Sequence, residues 1–337
     1  MTAPPLLRVE GLATTFPSEL GPVRAVDGVS FEVLPGERIG VVGESGSGKS
    51  VTALSVMGLV PSPPATVSGR VFFRGEDVLQ MSPKQRRAVR GAGMSMIFQN
   101  PLSCLNPTMR MGDQIAEAIL AHEDLPKRVA RERAVDLLGR VGIPSPARNA
   151  DEYPHRFSGG MRQRVMVALA LSCRPDLLLA DEPTTALDVT IQAQIVELLL
   201  SLCEEQGTAV IFITHDLGIL AGFAERILVM YAGRIVEKGD VDTIYYRATH
   251  PYTWGLMTSL TRMDESRRDR LRPIEGAPPS AIFVPPGCAF HPRCPYAQEV
   301  CVSDVPELIV RPADDHPSAC HFAGTLAAPT LLKERYG

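Results

Sequence analysis

Several classes of protein are removed by what this sequence does not contain. No apolar run approaches the roughly 18 residues that a membrane-spanning helix needs, so membrane association is expected only through partners. The start, Met1-Thr2-Ala3-Pro4-Pro5, has neither a basic region nor a following apolar stretch, and no secretory signal is expected. An excess of one charge is also missing: 34 Lys and Arg against 38 Asp and Glu leave a formal net charge of −4, which gives nucleic acid no electrostatic footprint. No internal repeat is visible. Seven cysteines are present, yet none falls in the C-x2-C pairs typical of structural zinc sites. The reading that remains is a cytosolic globular protein. Its 45% apolar and 21% charged residues are ordinary for a chain with a real core. At 337 residues it holds more than one domain but less than two large ones.

The most informative segment is Gly43-Glu44-Ser45-Gly46-Ser47-Gly48-Lys49-Ser50. The apolar run Arg38-Ile39-Gly40-Val41-Val42 before it reads as a buried strand, and Val51-Thr52-Ala53-Leu54 behind it opens a helix. That strand–loop–helix context is what makes the pattern a phosphate-binding site. The glycines let backbone N–H groups close around phosphate oxygens, with the positive end of the helix dipole behind them. Lys49 is expected to reach the β- and γ-phosphates of a nucleoside triphosphate, and the Ser50 hydroxyl to ligate Mg²⁺.

Further along, Leu177-Leu178-Leu179-Ala180-Asp181-Glu182 is an apolar strand ending in two carboxylates. Asp181 suits a contact to Mg²⁺, direct or through its shell, and Glu182 is placed to orient and deprotonate an attacking water. Between the two motifs lies Phe157-Ser158-Gly159-Gly160-Met161-Arg162-Gln163-Arg164. Ser158 reads as a helix N-cap, and the two glycines expose N–H groups to an anion. A plain capped helix would need neither the glycines nor the flanking Arg-Gln-Arg. His215 follows the apolar strand Ala209-Val210-Ile211-Phe212-Ile213 and reads as a γ-phosphate contact. Such near-continuous apolar strands suit a sheet buried on both faces, whose ligands sit beyond the strand C-termini.

Together these residues resemble the ATP-binding subunits of ABC transporters over roughly the first 250 positions. Phe157 to Met161 is similar to the family's signature motif, with Met161 where glutamine is commonest. The resemblance implies that Ser158, Gly159 and Gly160 grip the γ-phosphate of a nucleotide bound to a partner subunit. It implies that Gln99, in Ile97-Phe98-Gln99-Asn100-Pro101, is the Q-loop glutamine, which senses Mg²⁺ and faces the membrane subunits. Thr185-Ala186-Leu187-Asp188 resembles the D-loop, His215 the switch histidine, and Phe16 sits where the family places an aromatic that stacks on adenine. For Phe16 a place in the core is an equal reading. No Asn-Lys-x-Asp guanine-reading motif is present, which favours ATP over GTP.

The implied fold is α/β: a P-loop NTPase core of mixed sheet flanked by helices, with an antiparallel β-subdomain, a helical signature-motif subdomain and a C-terminal cysteine-rich extension. The ATP-binding domain is read over residues 6–250 and its helical subdomain over about 106–160, where Gln114 to Leu120 and Ala130 to Val141 show helix-period apolar spacing. A linker is expected over 251–272; within it the alternating charges of 262–272 read as a solvated face. The extension is read over 273–325. Its prolines crowd together, and four cysteines cluster as C-x5-C-x6-C-x18-C at Cys288, Cys294, Cys301 and Cys320. In a cytosolic protein such a cluster points to a metal or an iron–sulfur cluster rather than disulfides. By spacing, a [4Fe–4S] cluster, zinc and unliganded thiols all stay open. Cys104, Cys173 and Cys203 read as small apolar residues of the core.

Gly287-Cys288-Ala289-Phe290-His291-Pro292-Arg293-Cys294-Pro295, a third cysteine, a late Cys320-His321 and the earlier His250-Pro251-Tyr252-Thr253 resemble the dipeptide/oligopeptide importer branch. That branch implies peptide uptake, with nickel or sugar uptake among its relatives, and in some members a [4Fe–4S] cluster on the four matching cysteines. It also implies two transmembrane permease subunits, a second ATPase subunit closing head to tail around two Mg²⁺-ATP, an extracytoplasmic solute-binding protein, and a peripheral place on the cytoplasmic face of the cell membrane. Two other classes are weighed: an ABC ATPase that moves no solute, and a redox-sensing regulator centred on the cysteine tail. The first usually carries fused cassettes or long coiled coils, and neither is present.

Overall fold

The computed structural model describes residues 4–100, 104–184, 188–259, 274–312 and 315–329. Two compact units divide the chain: Met1–Leu6, Val33–Glu37 and Val78–Ile213 form one, and Leu7–Glu32, Arg38–Asp77 and Thr214–Gly337 the other. Among the described residues no helix is long and apolar enough to cross a membrane.

The second unit opens with an antiparallel sheet of β1 (Leu7–Phe16), β2 (Val23–Val33), β4 (Thr66–Phe73) and β5 (Glu76–Asp77), in the order β2-β1-β4-β5. Alternation of buried and exposed residues along β1 reflects a sheet with one covered face. The β1–β4 register runs from Leu7 opposite Phe73 and shifts between Glu10 and Ala13, a bulge at Gly11. In the same unit β3 (Arg38–Val42) pairs in parallel with β9 (Arg226–Tyr231), Ile39 opposite Arg226, and β9 turns back antiparallel onto β10 (Arg234–Asp240). Helix α1 (Lys49–Val56) leaves β3 through the phosphate loop.

The first unit carries β6 (Met94–Ile97), β7 (Leu177–Asp181) and β8 (Ala209–Thr214), whose last residue, Thr214, falls in the second unit. They pair in parallel, Met94 with Leu177 and Leu177 with Ala209. Every residue of β7 and β8 is buried, which is why both read as unbroken apolar runs. Helix α2 (Pro83–Val89) begins with a reciprocal capping box between Ser82 and Gln85. In the helical insert, α3 (Met111–Leu120) buries Met111, Ile115 and Ile119, while α4 (Lys127–Arg140) buries Ala130, Ala134 and Leu138 at four-residue spacing. Arg131 ties this insert by ion pairs to both Asp113 and Asp151. Helices α5 (Gly159–Ala170) and α6 (Val189–Gln206) follow.

The segment read as a linker from residue 251 opens instead with a helix, α8 (Pro251–Thr258), which follows α7 (Val241–Arg247). Its Tyr252, Trp254 and Met257 are buried, and a side chain of that size settles into a core rather than a tether. The charged stretch 262–272 lies outside the described residues. From Ile274 the extension has little regular structure beyond a short 3₁₀ turn at His291–Arg293 and a helical turn at Glu299–Ser303. Phe290 packs against Tyr231 and Tyr252 with ring centroids 5.3 and 5.4 Å apart, seating the extension in the core of the second unit. Of the three cysteines assigned to the core, only Cys203 is fully buried; Cys104 and Cys173 are half-buried, their thiols reaching the carbonyls of Asn100 and Ala118.

Candidate functional site

The phosphate loop is shaped by what surrounds its glycines. Gly48 has φ +101°, and a Cβ there would lie 2.3 Å from the Ala25 carbonyl oxygen. At Gly43 a Cβ would lie 2.2 Å from the Met230 carbonyl oxygen, so β9 allows no side chain at the exit of β3. Ser47 N–H donates to the Glu44 carbonyl, and Gly233 N–H to the Ser47 carbonyl, which closes the loop on itself and onto the turn after β9. Lys49 is 5% exposed, and its Nζ donates to the Gly43 and Glu44 carbonyls at 2.7 and 3.0 Å. Among the described residues the buried Ser47 Oγ has no hydrogen-bond partner. Ser45 and Gly46 form the crest of the loop, and Ser50 lies in the first turn of α1. Phe16, half-buried, ends β1.

Asp181, buried, is the last residue of β7, and Glu182 follows at φ +45°, its N–H donating to the Ile213 carbonyl of β8. A left-handed conformation at a non-glycine residue costs about 1 kcal/mol or more and persists only where the surroundings hold it. Gln99 Nε2 donates to the Glu182 carboxylate at 2.9 Å, so these two residues, 83 apart in sequence, are brought together. His215 comes directly after β8 and is exposed.

Ser158 caps α5, its hydroxyl accepting from Met161 N–H at 3.3 Å, and Gly159 and Gly160 are the first two helical residues. The arginines behind them serve the fold: Arg162 Nε donates to the Pro154 carbonyl and Arg164 Nη1 to the Val141 carbonyl. Asp188 caps α6 by accepting from Ile191 N–H at 3.0 Å. Thr185, Ala186 and Leu187 lie outside the described residues.

In the extension, Cys288, Cys294, Cys301 and Cys320 all line one small enclosed cavity of about 20 Å³, with His250, His291 and His321 also on its wall. Burial pushes the Cys294 thiol up to about 11 and the Cys320 thiol up to about 12, and raises Cys288 as well. Among the described residues no three His, Cys, Asp or Glu side chains stand as a single-ion site. Four cysteines line the cavity and no carboxylate does, and thiolates are the donors that soft metals favour.

Two constellations in this unit escaped the sequence reading. Glu237 in β10 is fully buried and accepts from Thr249 N–H, His250 N–H and the His316 ring. A lone glutamate inside the run Arg234–Asp240 was the available signal. Arg293 forms a bidentate pair with Glu44 of the phosphate loop at 2.6 and 3.0 Å, across 249 residues of sequence, and no local pattern announces it.

Comparison with known proteins adds matches over most of the chain. The family described as ABC transporter matches residues 26–185, and the one described as oligopeptide/dipeptide transporter, C-terminal region, matches residues 236–301. The dipeptide transport ATP-binding protein DppD of Bacillus subtilis is 48% identical over 328 residues, covering 97% of each chain. The protein of the same name from Escherichia coli is 49% identical over 317 residues, 94% of this chain and 96% of that one. Among solved structures, the dimeric post-hydrolysis state of the ATP-binding cassette MJ0796 bound to ADP and Pi superposes with a TM-score of 0.62 at 26% identity, over 70% of this chain and 98% of that one.

Proposed function

This chain belongs to the ABC transporter family of ATP-hydrolysing subunits, and from that premise we propose that it powers the uptake of di- or oligopeptides through a membrane importer. The observation that carries the solute class is the 48–49% identity to dipeptide transport ATP-binding proteins along nearly the whole chain, extension included. The match to the oligopeptide/dipeptide C-terminal region, from residue 236, supports the same branch.

In this reading residues 6–250 are the ATP-binding domain, 106–160 its helical subdomain and 273–325 the cysteine-rich extension. Backbone N–H groups of the loop from Gly43 through Ser45, Gly46, Ser47 and Gly48 cradle the phosphates of ATP, with Lys49 on the β- and γ-phosphates. Phe16 stacks on the adenine. Ser50 and Gln99 would hold Mg²⁺, with Asp181 contributing a carboxylate to its shell, and the ion would supply positive charge to neutralise that developing on the phosphate oxygens. Glu182 takes a proton from water as that water attacks the γ-phosphorus, the bond to the ADP oxygen breaks, and ADP and phosphate result. His215 contacts the γ-phosphate. Ser158, Gly159, Gly160 and Asp188 serve the nucleotide of a second ATPase subunit, self or paralogue, so each site is completed by its neighbour.

The partners in this reading are two permease subunits, with an extracytoplasmic solute-binding protein delivering the solute, and the chain sits peripherally on the cytoplasmic face of the membrane. Cys288, Cys294, Cys301 and Cys320 would hold a [4Fe–4S] cluster as thiolates, which would supply a redox-active staple for the extension; zinc is the other occupant of such a thiol set.

Two experiments test the reading. Co-expression with its permeases and reconstitution in vesicles is expected to give ATP-dependent uptake of a labelled dipeptide. Uptake of Ni²⁺ or a sugar in its place would move the chain to another solute within the family, and failure to co-purify with any membrane subunit would point to a non-transport ATPase. Anaerobic purification is expected to yield iron and acid-labile sulfide near four each per chain. Zinc near one without sulfide would make the extension a zinc-clipped fold.

A further inference from the structure

Glu44 is the one acidic residue of the phosphate loop, and every functional group it offers is already taken. Its N–H donates to the Tyr252 hydroxyl at 2.8 Å, its carbonyl accepts from Lys49 Nζ at 3.0 Å, and its carboxylate is gripped by Arg293 through both Nη atoms. Arg293 is itself fully spoken for. Nε donates to the Glu275 carbonyl, Nη1 also reaches the Tyr231 hydroxyl, and Nη2 also reaches the Ile274 carbonyl. That is five bonds for the five N–H donors of a guanidinium, on a side chain only 5% exposed. A surface ion pair holds nothing, but one with this burial and this many partners fixes both ends. The hydrogen bonds to Glu44 and Tyr231 raise the pKa of Arg293 further, so it remains charged throughout.

The charge count at the loop explains why such a grip matters. A triphosphate needs a positive cradle, yet Glu44 and Lys49 cancel one another. Only when Arg293 is added does the set of Glu44, Lys49 and Arg293 become net positive. An unneutralised carboxylate in a half-buried loop would repel the incoming phosphates far more strongly than it does in water.

We propose that Arg293 and Tyr252, both C-terminal to the strands and helices that carry the nucleotide site, are positioning residues of the phosphate loop: they hold Glu44 in place and cancel its charge, so that the extension completes ATP binding in its own chain. This rests on the ATPase reading above. Arg293 lies in the chain between Cys288 and Cys294, so the element that builds the thiol cavity is the same one that reaches the loop.

The test is Mg²⁺-ATP titration calorimetry on the full chain and its variants, with a thermal melt of each. Arg293→Gln is expected to weaken Mg²⁺-ATP about tenfold or more, Glu44→Gln to change it less than about threefold, and the double variant to return to within about threefold of wild type. Arg293→Lys keeps the charge without the fork and falls between. Tyr252→Phe strands the Glu44 N–H and weakens binding several-fold with an unchanged salt dependence. A merely structural clasp predicts otherwise: Glu44→Gln and Arg293→Gln would lower the melting temperature alike, and the double variant would recover no affinity. That pattern, or wild-type affinity in Arg293→Gln, overturns the proposal. Should Arg293→Gln fail to fold, Arg293→Lys against Arg293→Lys/Glu44→Gln reads the same rescue. Absence of Mg²⁺-ATP binding by the wild-type chain would instead sink the reading on which the proposal stands.

Discussion

Gln99 Nε2 donates a 2.9 Å hydrogen bond to the carboxylate of Glu182, a residue held at φ +45° at the end of β7. The amide therefore fixes the orientation of the one carboxylate that follows the strand's buried Asp181. A carboxylate presented on a constrained backbone and steered by a neighbouring amide keeps one geometry.

Glu182→Gln is accordingly expected to retain ATP binding while turnover falls by about 10²–10⁴, the usual worth of a general base. Steady-state phosphate release together with nucleotide titration checks this. Turnover within about threefold of wild type would remove Glu182 from that role.

Ser158 lies at the start of α5, where its hydroxyl caps the helix. Ser158→Ala removes that cap, worth about 1 kcal/mol of stability. If the segment serves a neighbour's nucleotide, a mixed dimer with one altered subunit loses hydrolysis at the unaltered subunit's site. Loss confined to the altered subunit's own nucleotide would defeat this assignment.

Glu237 and His316 form the fastening between β10 and the extension, at 2.9 Å, with Asp315 on the other ring nitrogen at 2.8 Å. Burial pushes the Glu237 carboxyl up, but the bonds from His316, Thr253 and Thr249 and the nearby His250 bring it below its usual value. His316→Ala leaves that buried carboxylate short of a hydrogen-bond partner and is expected to cost about 2 kcal/mol. Urea unfolding of the two proteins measures it; a loss under about 0.5 kcal/mol would mean the pair contributes nothing.

His250 supplies a pH dependence of known sign. Burial lowers its pKa from 6.5 to about 4, while its Nδ1 accepts the Tyr252 N–H as the cap of α8. The unfolded chain then binds the extra proton first, so the stabilisation is complete above about pH 6.5 and drains away as pH falls toward about 4, by about 3 kcal/mol in all. His250→Asn keeps a capping acceptor without the titration. Its stability should vary less between pH 7 and 5 than wild type, and parallel curves would refute the assignment.

The thiols of the cavity make a chemical prediction. With Cys294 at about 11 and Cys320 at about 12, the thiolate fraction near neutral pH is below about one in a thousand. Iodoacetamide should modify both slowly in metal-free protein, read by peptide mass spectrometry. Alkylation of Cys294 at the rate of free cysteine would show that burial does not control it.

Much of the site was legible in the sequence because each part is local. The glycines of 43–48 stand next to one another, and the strands β3, β7 and β8 announce themselves because burial on both faces demands unbroken apolar runs. Ser158 could be read as a helix start from chemistry within three residues, whereas the cap that Asp188 supplies came from the structure. The stretch read as a linker over 251–272 opens with the helix Pro251–Thr258, which only the burial of Tyr252 and Trp254 against distant residues reveals.

The sequence by itself thus determined the phosphate loop, the carboxylates at the end of β7, the capped signature helix and the four-cysteine extension. Each is a short pattern whose chemistry follows from neighbours along the chain. Tertiary structure alone decided that Arg293 closes on Glu44, that His316 closes on Glu237, and that four cysteines spread over 33 residues line one cavity. The two pairs join residues 249 and 79 positions apart. Folding is what brings them within hydrogen-bonding reach, and desolvation there turns weak surface pairs into fixed ones.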